Sequence, residues 1–293
     1  MIHTFYGRIK KRRKNSMSCE GCPNAGNCSK DASTCGVETN PKNHIKDVVA
    51  VMSGKGGVGK STMTVLLAKS LAAQGKKVGI MDADITGPSI PRLMGVEDQH
   101  AYGTKENEIL PVVVDNIKLM SLNFMVENES EPVIWRGPIV GNVVKQFYTD
   151  VLWEDLDVLL IDMPPGTGDV ALTIMQSLPL KGVVMVSTPQ PMVSMIVEKA
   201  IHMCEKMDIP VLGIIENMAY LECPNCHEHI DFYNKEELDT FLKKVKVPCY
   251  GMLPQVDLLR DINMYSQSYT LEQQEKTMEL MKEIAQRMSD DLQ

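Results

Sequence analysis

A doubly wound α/β fold, with a mostly parallel sheet covered by helices on both faces, is the class this sequence predicts. Two observations carry the prediction. Short apolar runs near 47–52, 77–82, 116–121, 156–162, 181–187, 210–215 and 248–253 alternate with helical stretches, the order that crossover connections between parallel strands produce. The first run leads into the glycine-rich loop Ser53-Gly-Lys-Gly-Gly-Val-Gly-Lys-Ser-Thr62 and then Met63–Ala73, whose apolar spacing is helical. The 293 residues suffice for one large α/β domain with small additions. The expected division is residues 1–16, a Cys-rich segment at 17–44, the main domain at 45–270 and a terminal helix at 271–293.

Gly54 to Ser61 satisfies the phosphate-loop pattern G-x-x-x-x-G-K-S/T. Gly54, Gly56, Gly57 and Gly59 allow the backbone N–H groups of the loop, those of Lys55 and Val58 included, to close around phosphate oxygens. The helix starting near Lys60 adds its positive end. Lys60 is expected to meet the β- and γ-phosphates and Ser61 to coordinate Mg²⁺, with Thr62 completing the run. The ligand this predicts is a nucleoside triphosphate with Mg²⁺.

Two acidic strand ends follow. Asp84 lies just past the run ending at Asp82, where doubly wound sheets place their ligand chemistry. Leu156–Asp162 is an apolar strand ending in aspartate, the Walker B arrangement, with Asp162 expected to hold Mg²⁺ through Ser61 or water. In Met163-Pro-Pro-Gly-Thr-Gly168, the Gly166 N–H can sense a γ-phosphate, so ATP and ADP would leave this loop in different positions. Either aspartate alone could be a helix N-cap; their order after the phosphate loop favours the chemical reading.

Lys55, inside the loop, resembles the extra lysine of the deviant Walker A motif in the MinD/ParA/nitrogenase-iron-protein class. The resemblance implies that Lys55 crosses a dimer interface to the partner's nucleotide. There its charge would act as an arginine finger does, stabilising charge that spreads in the phosphoryl transition state. It also implies that Asp84 positions the attacking water and the Mg²⁺ shell. Asp82-Ala-Asp-Ile-Thr-Gly-Pro-Ser-Ile-Pro91, Trp135-Arg-Gly-Pro138, Asp162-Met-Pro-Pro-Gly-Thr-Gly-Asp169 and Ile215-Glu-Asn-Met218 resemble the Mrp/ApbC-type iron–sulfur cluster carrier ATPases. That resemblance runs from Ile45 to Arg260. It implies a homodimer that holds a bridging [4Fe–4S] cluster, passes it to apoprotein acceptors and hydrolyses ATP weakly. By likeness to related ATPases, Asn217 is the candidate for reading the adenine edge.

Eight cysteines stand at 19, 22, 28, 35, 204, 223, 226 and 249. Met1 to Met17 contains no apolar run of the secretory kind. A reducing cytoplasmic compartment is therefore expected, and grouped cysteines there point to metal rather than disulfides. Cys223-Pro-Asn-Cys226 falls in a loop after a strand. Two thiolates hold one edge of a metal centre, and such centres usually take four ligands. A two-fold dimer would supply the other pair, bridging one cluster on the axis, as the carrier family implies. Half a zinc ribbon using His227 and His229, and a redox dithiol, are the alternatives. No second C-x-x-C follows about 15–20 residues on, and the βαβ context of a thioredoxin-like motif is missing.

Near the start, Cys19, Cys22 and Cys28 form C-x₂-C-x₅-C, with Cys35 seven residues further on. The spacing resembles part of the N-terminal ferredoxin-like motif of the eukaryotic cytosolic scaffold branch of the same family. That branch has its fourth cysteine upstream, where this chain has none, and Cys35 is the candidate substitute. So short a segment depends on metal for order. Cys204 and Cys249 read as packing residues.

Lys10-Lys-Arg-Arg-Lys14 is a basic run of the type that binds nucleic acid or directs nuclear import. Arg12-Arg13 can also be encoded AGGAGG, a ribosome-binding sequence, three residues ahead of Met17. Translation is accordingly expected to start at Met17. A formal charge of −8 disfavours nucleic-acid binding, and no run approaches the roughly 18 apolar residues of a membrane span. Met278, Met281, Ile284 and Met288 give the tail an amphipathic helical pattern. Its mixed polar face, unlike the Lys/Arg-rich faces that favour anionic lipid, points to packing on the domain. Asp98–Asp115 reads as a hairpin-like insertion.

Two rival functions fit parts of the pattern. A ParA/MinD-type positioning ATPase with structural zinc has no need of the Cys223–Cys226 pair, and no basic stretch after Met17 suits it to DNA. A reductase like the nitrogenase iron protein uses two widely separated single cysteines instead of C-x-x-C.

Overall fold

The structure is a computed structural model, and the residues it describes are 39–84, 87, 89–105, 108–125, 137–223, 226, 228–231, 234–255 and 271–293. Cys19, Cys22, Cys28 and Cys35 lie outside them, as do His227, Trp135 and Arg136. The elements run β1 (His44–Ser53), α1 (Lys60–Ala73), β2 (Val78–Asp82), α2 (Ile90–Leu93), β3 (Tyr102–Gly103), β4 (Ile109–Leu110), β5 (Val112–Val114) and β6 (Ile117–Met120). They continue with α3 (Gly137–Asp150), β7 (Asp155–Asp162), α4 (Asp169–Ser177), β8 (Gly182–Ser187), α5 (Pro191–Lys206) and β9 (Val211–Glu222). The last are β10 (His229–Asp231), α6 (Lys235–Val245), β11 (Cys249–Pro254) and α7 (Leu271–Asp291).

The main sheet has the order β10-β9-β8-β1-β7-β2-β6-β5, and β11 also pairs with β9. Its central ladders, β8–β1, β1–β7, β7–β2 and β2–β6, are parallel. Both faces of these strands are covered, which is why they read as nearly unbroken apolar runs. Alternate residues of β1 feed opposite cores. Val48, Ala50 and Met52 pack with α3, α4, α5 and α6, whereas Val49 and Val51 pack with α1 and α7. The doubly wound architecture is therefore present as the sequence predicts.

Two expectations change in detail. The strand near 210–215 continues to Glu222 and turns back as β10, so Cys223 and Cys226 sit at the end of a hairpin. The 98–115 insertion divides in two. Tyr102–Gly103 pairs with Ile109–Leu110, while Val112–Val114 joins the main sheet as an antiparallel edge beside β6. The terminal helix docks as anticipated, with Met281, Ile284 and Met288 buried against α1 and β11.

Candidate nucleotide site and cysteine hairpin

The order β1-β7-β2 brings three strand ends together at one edge. Val51 is in register with Asp162, and Asp162 with Asp82. The loop leaving β1 must reverse sharply into α1, and Gly57 and Gly59 do so with φ of 83° and 84°, values that strain any residue with a side chain. Gly54 meets a different demand: a Cβ there would lie 2.9 Å from Ile196 on α5.

Lys60 is the electrostatic centre of this edge. Its Nζ donates to Asp162 Oδ2 at 2.8 Å and lies 3.6 Å from Asp84 Oδ2. Ser61 Oγ donates to the same Asp162 oxygen at 2.6 Å, and Thr64 Oγ1 donates to Asp162 Oδ1 at 2.9 Å. Asp82, fully buried, accepts from the Asp84 N–H at 3.1 Å and from Ser121 Oγ at 3.2 Å. Burial first, and then the charge of Asp162, hold the Asp82 carboxyl well above the usual carboxylate range, with Lys60 opposing. With Asp82 held neutral, Asp162 and Asp84 face Lys60 with one carboxylate charge in excess, and Ser61 Oγ adds a hydroxyl oxygen beside them. Such a set suits a hard divalent cation.

The remaining loop residues are placed as follows. Thr62 is buried in the first turn of α1. The Gly166 N–H donates to the Ser53 carbonyl at 2.8 Å, putting the glycine after Walker B directly against the phosphate loop. Lys55 Nζ donates to Gln190 Oε1 at 3.0 Å, just before α5. Asn217 Nδ2 donates to the Val58 carbonyl at 2.9 Å, which leaves its buried Oδ1 without a partner among the described residues. Gly59 closes on the same amide: a Cβ there would fall 2.5 Å from Nδ2. The opening around Gly56 and Gly57, where a Cβ would meet nothing within 4 Å, and the orphaned Asn217 acceptor together fit a nucleotide.

Asn217 reaches this position through a distortion of β9. Met252 pairs with Glu216 and Pro254 with Tyr220, so β9 spends four residues where β11 spends two. Met218 takes a φ of 55° inside that bulge. Bulges next to sites commonly re-aim a side chain in this way.

Beyond the bulge, β9 carries its chain out past the nucleotide edge. Glu216 is level with Ser187 at the end of β8, and Cys223 follows six residues after Asn217. At strand rise this is roughly 15–20 Å. The Cys223 N–H donates to the Glu228 carbonyl at 3.0 Å, and Cys226 is exposed. Among the described residues no group of three or more Cys, His, Asp or Glu side chains has metal-binding proximity. Cys204 and Cys249, by contrast, are partly or fully buried, and burial pushes their thiols up to about 12 and about 11.

Sequence reasoning named Lys60, Ser61, Asp84 and Asp162 but missed Thr64, Asp82, Gln190 and Glu216. Thr64 was within reach of it, lying one helical turn from Lys60. Glu216 is buried beside Ser187 with Oε2 unpartnered among the described residues, and no spacing rule signals that.

A phosphate loop between a parallel strand and a helix, its lysine facing two acidic strand ends, defines the P-loop NTPase class. The family model described as ParA, NUBPL iron-transfer P-loop NTPase, matches residues 44–289, and the chain belongs to that Mrp/NUBPL family. An iron-sulfur cluster carrier protein of Clostridium perfringens is 45% identical over 251 residues, covering 81% of this chain and 88% of its own. A nucleotide-binding protein of Archaeoglobus fulgidus, solved in complex with ADP, is 41% identical with a TM-score of 0.65, covering 82% of this chain and 88% of that one. MinD in the MinC:MinD complex of Aquifex aeolicus shares the fold, with a TM-score of 0.60 at 20% identity over 83% of this chain and 96% of that chain. No helix among the described residues is long and apolar enough to cross a membrane.

Proposed function

We propose that this chain is an ATP-dependent carrier that binds one [4Fe–4S] cluster between two copies of itself, through Cys223 and Cys226 of each, and passes it to apoproteins. The observation that carries the reading is the course of β9. One strand presents Asn217 to the nucleotide loop and ends beside Cys223, so the two chemistries share an element. Its relatives' names point the same way.

In the nucleotide site, Lys60 turns from Asp162 and Asp84 to the phosphates when ATP enters. Ser61 and Asp162 would hold Mg²⁺, which would supply charge neutralisation for the phosphates. Asp84 orients the attacking water. Asn217, its Nδ2 tied to Val58, presents Oδ1 as an acceptor, which matches the exocyclic amine of adenine and opposes the O6 of guanine. Gly166 exchanges the Ser53 carbonyl for a γ-phosphate oxygen, so its loop follows the nucleotide state. Lys55 leaves Gln190 and reaches the partner's phosphates. The reading is of a cytoplasmic protein working on apoprotein acceptors, and relatives named cytosolic Fe-S cluster assembly factors support it.

Two features favour a second copy as the source of the missing ligands. Leu221 and Ile230, cross-strand partners next to the hairpin end, are 36% and 47% exposed and offer an apolar contact. His229, which a zinc site in one chain would use, is stacked on Tyr220 with ring centroids 4.2 Å apart. The test is anaerobic reconstitution with iron and sulfide. Native dimer should take up about four iron atoms on this site, and Cys223→Ala should lose all of them from both protomers. Full iron retention in Cys223→Ala would refute the bridging site.

A further inference from the structure

A projecting two-stranded ribbon is marginal by itself, and β10 is three residues long and exposed throughout. The base of the cysteine hairpin is held from outside by α7. Lys276 on that helix forms an ion pair with Oε2 of Glu222, the last residue of β9 and the immediate neighbour of Cys223. The Glu222 side chain is only 16% exposed. His229 Nε2 lies 4.0 Å from the same oxygen while its ring stacks on Tyr220. The Tyr220 carbonyl in turn accepts from the Gln255 N–H at 2.6 Å, just after β11.

The far end of α7 is fixed to the body. Met281, Ile284 and Met288 are buried in the core that α1 shares, and the Gln74 side chain, past the end of α1, donates to the Lys282 carbonyl at 3.2 Å. Arg287 donates to the Tyr250 carbonyl at 2.8 Å, and Asp291 accepts from the Tyr250 hydroxyl at 2.6 Å. From Lys276 to Asp291 the helix spans roughly 22 Å at 1.5 Å per residue. It therefore runs from the hairpin base along the helix that opens at the phosphate loop.

We infer that Lys276 is a positioning residue for the thiolate pair. By binding Glu222 it docks the hairpin base on α7 and so holds Cys223 in a fixed relation to α1. The inference deepens the carrier reading and rests on it. Four thiolates from two protomers must meet one cube of iron and sulfide, and a hairpin already ordered gives up less freedom on binding. Lys276 also neutralises Glu222, whose carboxylate would otherwise face an anionic thiolate-ligated cluster across a short distance.

The experiment compares Lys276→Ala, Lys276→Arg and the exchanged pair Glu222→Lys with Lys276→Glu. In the metal-free chain, amide hydrogen exchange across 220–230 should quicken about two- to fivefold in Lys276→Ala, the range for a partly exposed ion pair. Lys276→Arg should stay near native, and the exchanged pair should regain most of the protection. ATP hydrolysis and exchange in α1 should not change. After reconstitution, cluster loss to an iron chelator should rank the variants in the same order. Native exchange rates in the Lys276→Ala hairpin would overturn the inference, and so would loosening that spreads equally through α1. If the hairpin responds but native protein takes up no Cys223-dependent iron, the positioning stands and the carrier reading falls.

Discussion

Glu216 shows how a single side chain can carry a pH dependence. It sits in register with Ser187 on one side and Met252 on the other, 1% exposed, with Cys249 of β11 its ionisable neighbour. Burial pushes its carboxyl from 4.5 to about 7, against the opposing hydrogen bond from Ser187. The sign follows from proton counting. Between pH 4.5 and about 7 the folded chain holds this proton and the unfolded chain does not. Its contribution is thus complete below pH 4.5, falls as pH rises through this window and is flat above it. Glu216→Gln, uncharged at every pH, should be more stable than native at pH 8, by up to about 3 kcal/mol, and little different at pH 4.5. Urea denaturation of both proteins at the two pH values measures this. Parallel pH slopes would mean that the carboxyl ionises as readily folded as unfolded. At this scale the sequence was most legible where spacing dictates geometry. Gly54 to Ser61, Asp84 and Asp162 all sit at adjacent strand ends because the motif order leaves them nowhere else. Glu216 was opaque because its burial depends on β11, which begins 33 residues later at Cys249.

At the scale of elements, the strands of the parallel centre were readable because burial on both faces writes itself as continuous apolar sequence. The hairpin beyond Asn217 was not, since Glu216-Asn-Met218 looks like a strand end and the continuation exists only by pairing with β10 and β11. Long-range pairing overrode the local signal. The junction between the phosphate loop and α5 is a second feature of this kind. Gly54 lets the loop lie against Ile196, and that contact sets Lys55 beside Gln190 at the start of the helix. If Lys55 acts on the partner's nucleotide, its bond to Gln190 restrains it within its own chain. A hydrogen bond to a charged group contributes about 1.5 kcal/mol. Gln190→Ala should therefore tighten ATP-dependent association up to about tenfold, while Lys55→Ala binds ATP and hydrolyses it poorly. Analytical ultracentrifugation with a slowly hydrolysed ATP analogue reads the first effect. Association no tighter than native in Gln190→Ala would show that the bond imposes no restraint.

The whole molecule places the nucleotide loop and the cysteine hairpin at one edge of the sheet and ties them by two routes. β9 runs directly from Asn217 to Cys223, and α7 runs from Glu222 to the packing surface of α1. In the proposed two-fold dimer both sites would face the partner. On the proposed function, ATP would draw Lys55 across the interface and pull the protomers together, and ADP would let them relax. A cluster ligated by two thiolates from each side would experience that movement as a change in ligand geometry. The coupling must then be reciprocal: if ATP alters the hold on the cluster by some factor, a bound cluster alters ATP affinity by the same factor. Couplings of this type usually amount to about 1–3 kcal/mol, roughly 5- to 150-fold in affinity. We expect apo and cluster-loaded dimers to differ in ATP affinity within that range, and cluster transfer to an apoprotein to depend on nucleotide in the native chain but not in Lys55→Ala. Titration calorimetry on the two forms, and transfer followed by visible absorption, provide the two measurements. Equal ATP affinities together with transfer indifferent to nucleotide would mean that the phosphate loop and the cysteine hairpin share a strand without sharing a function.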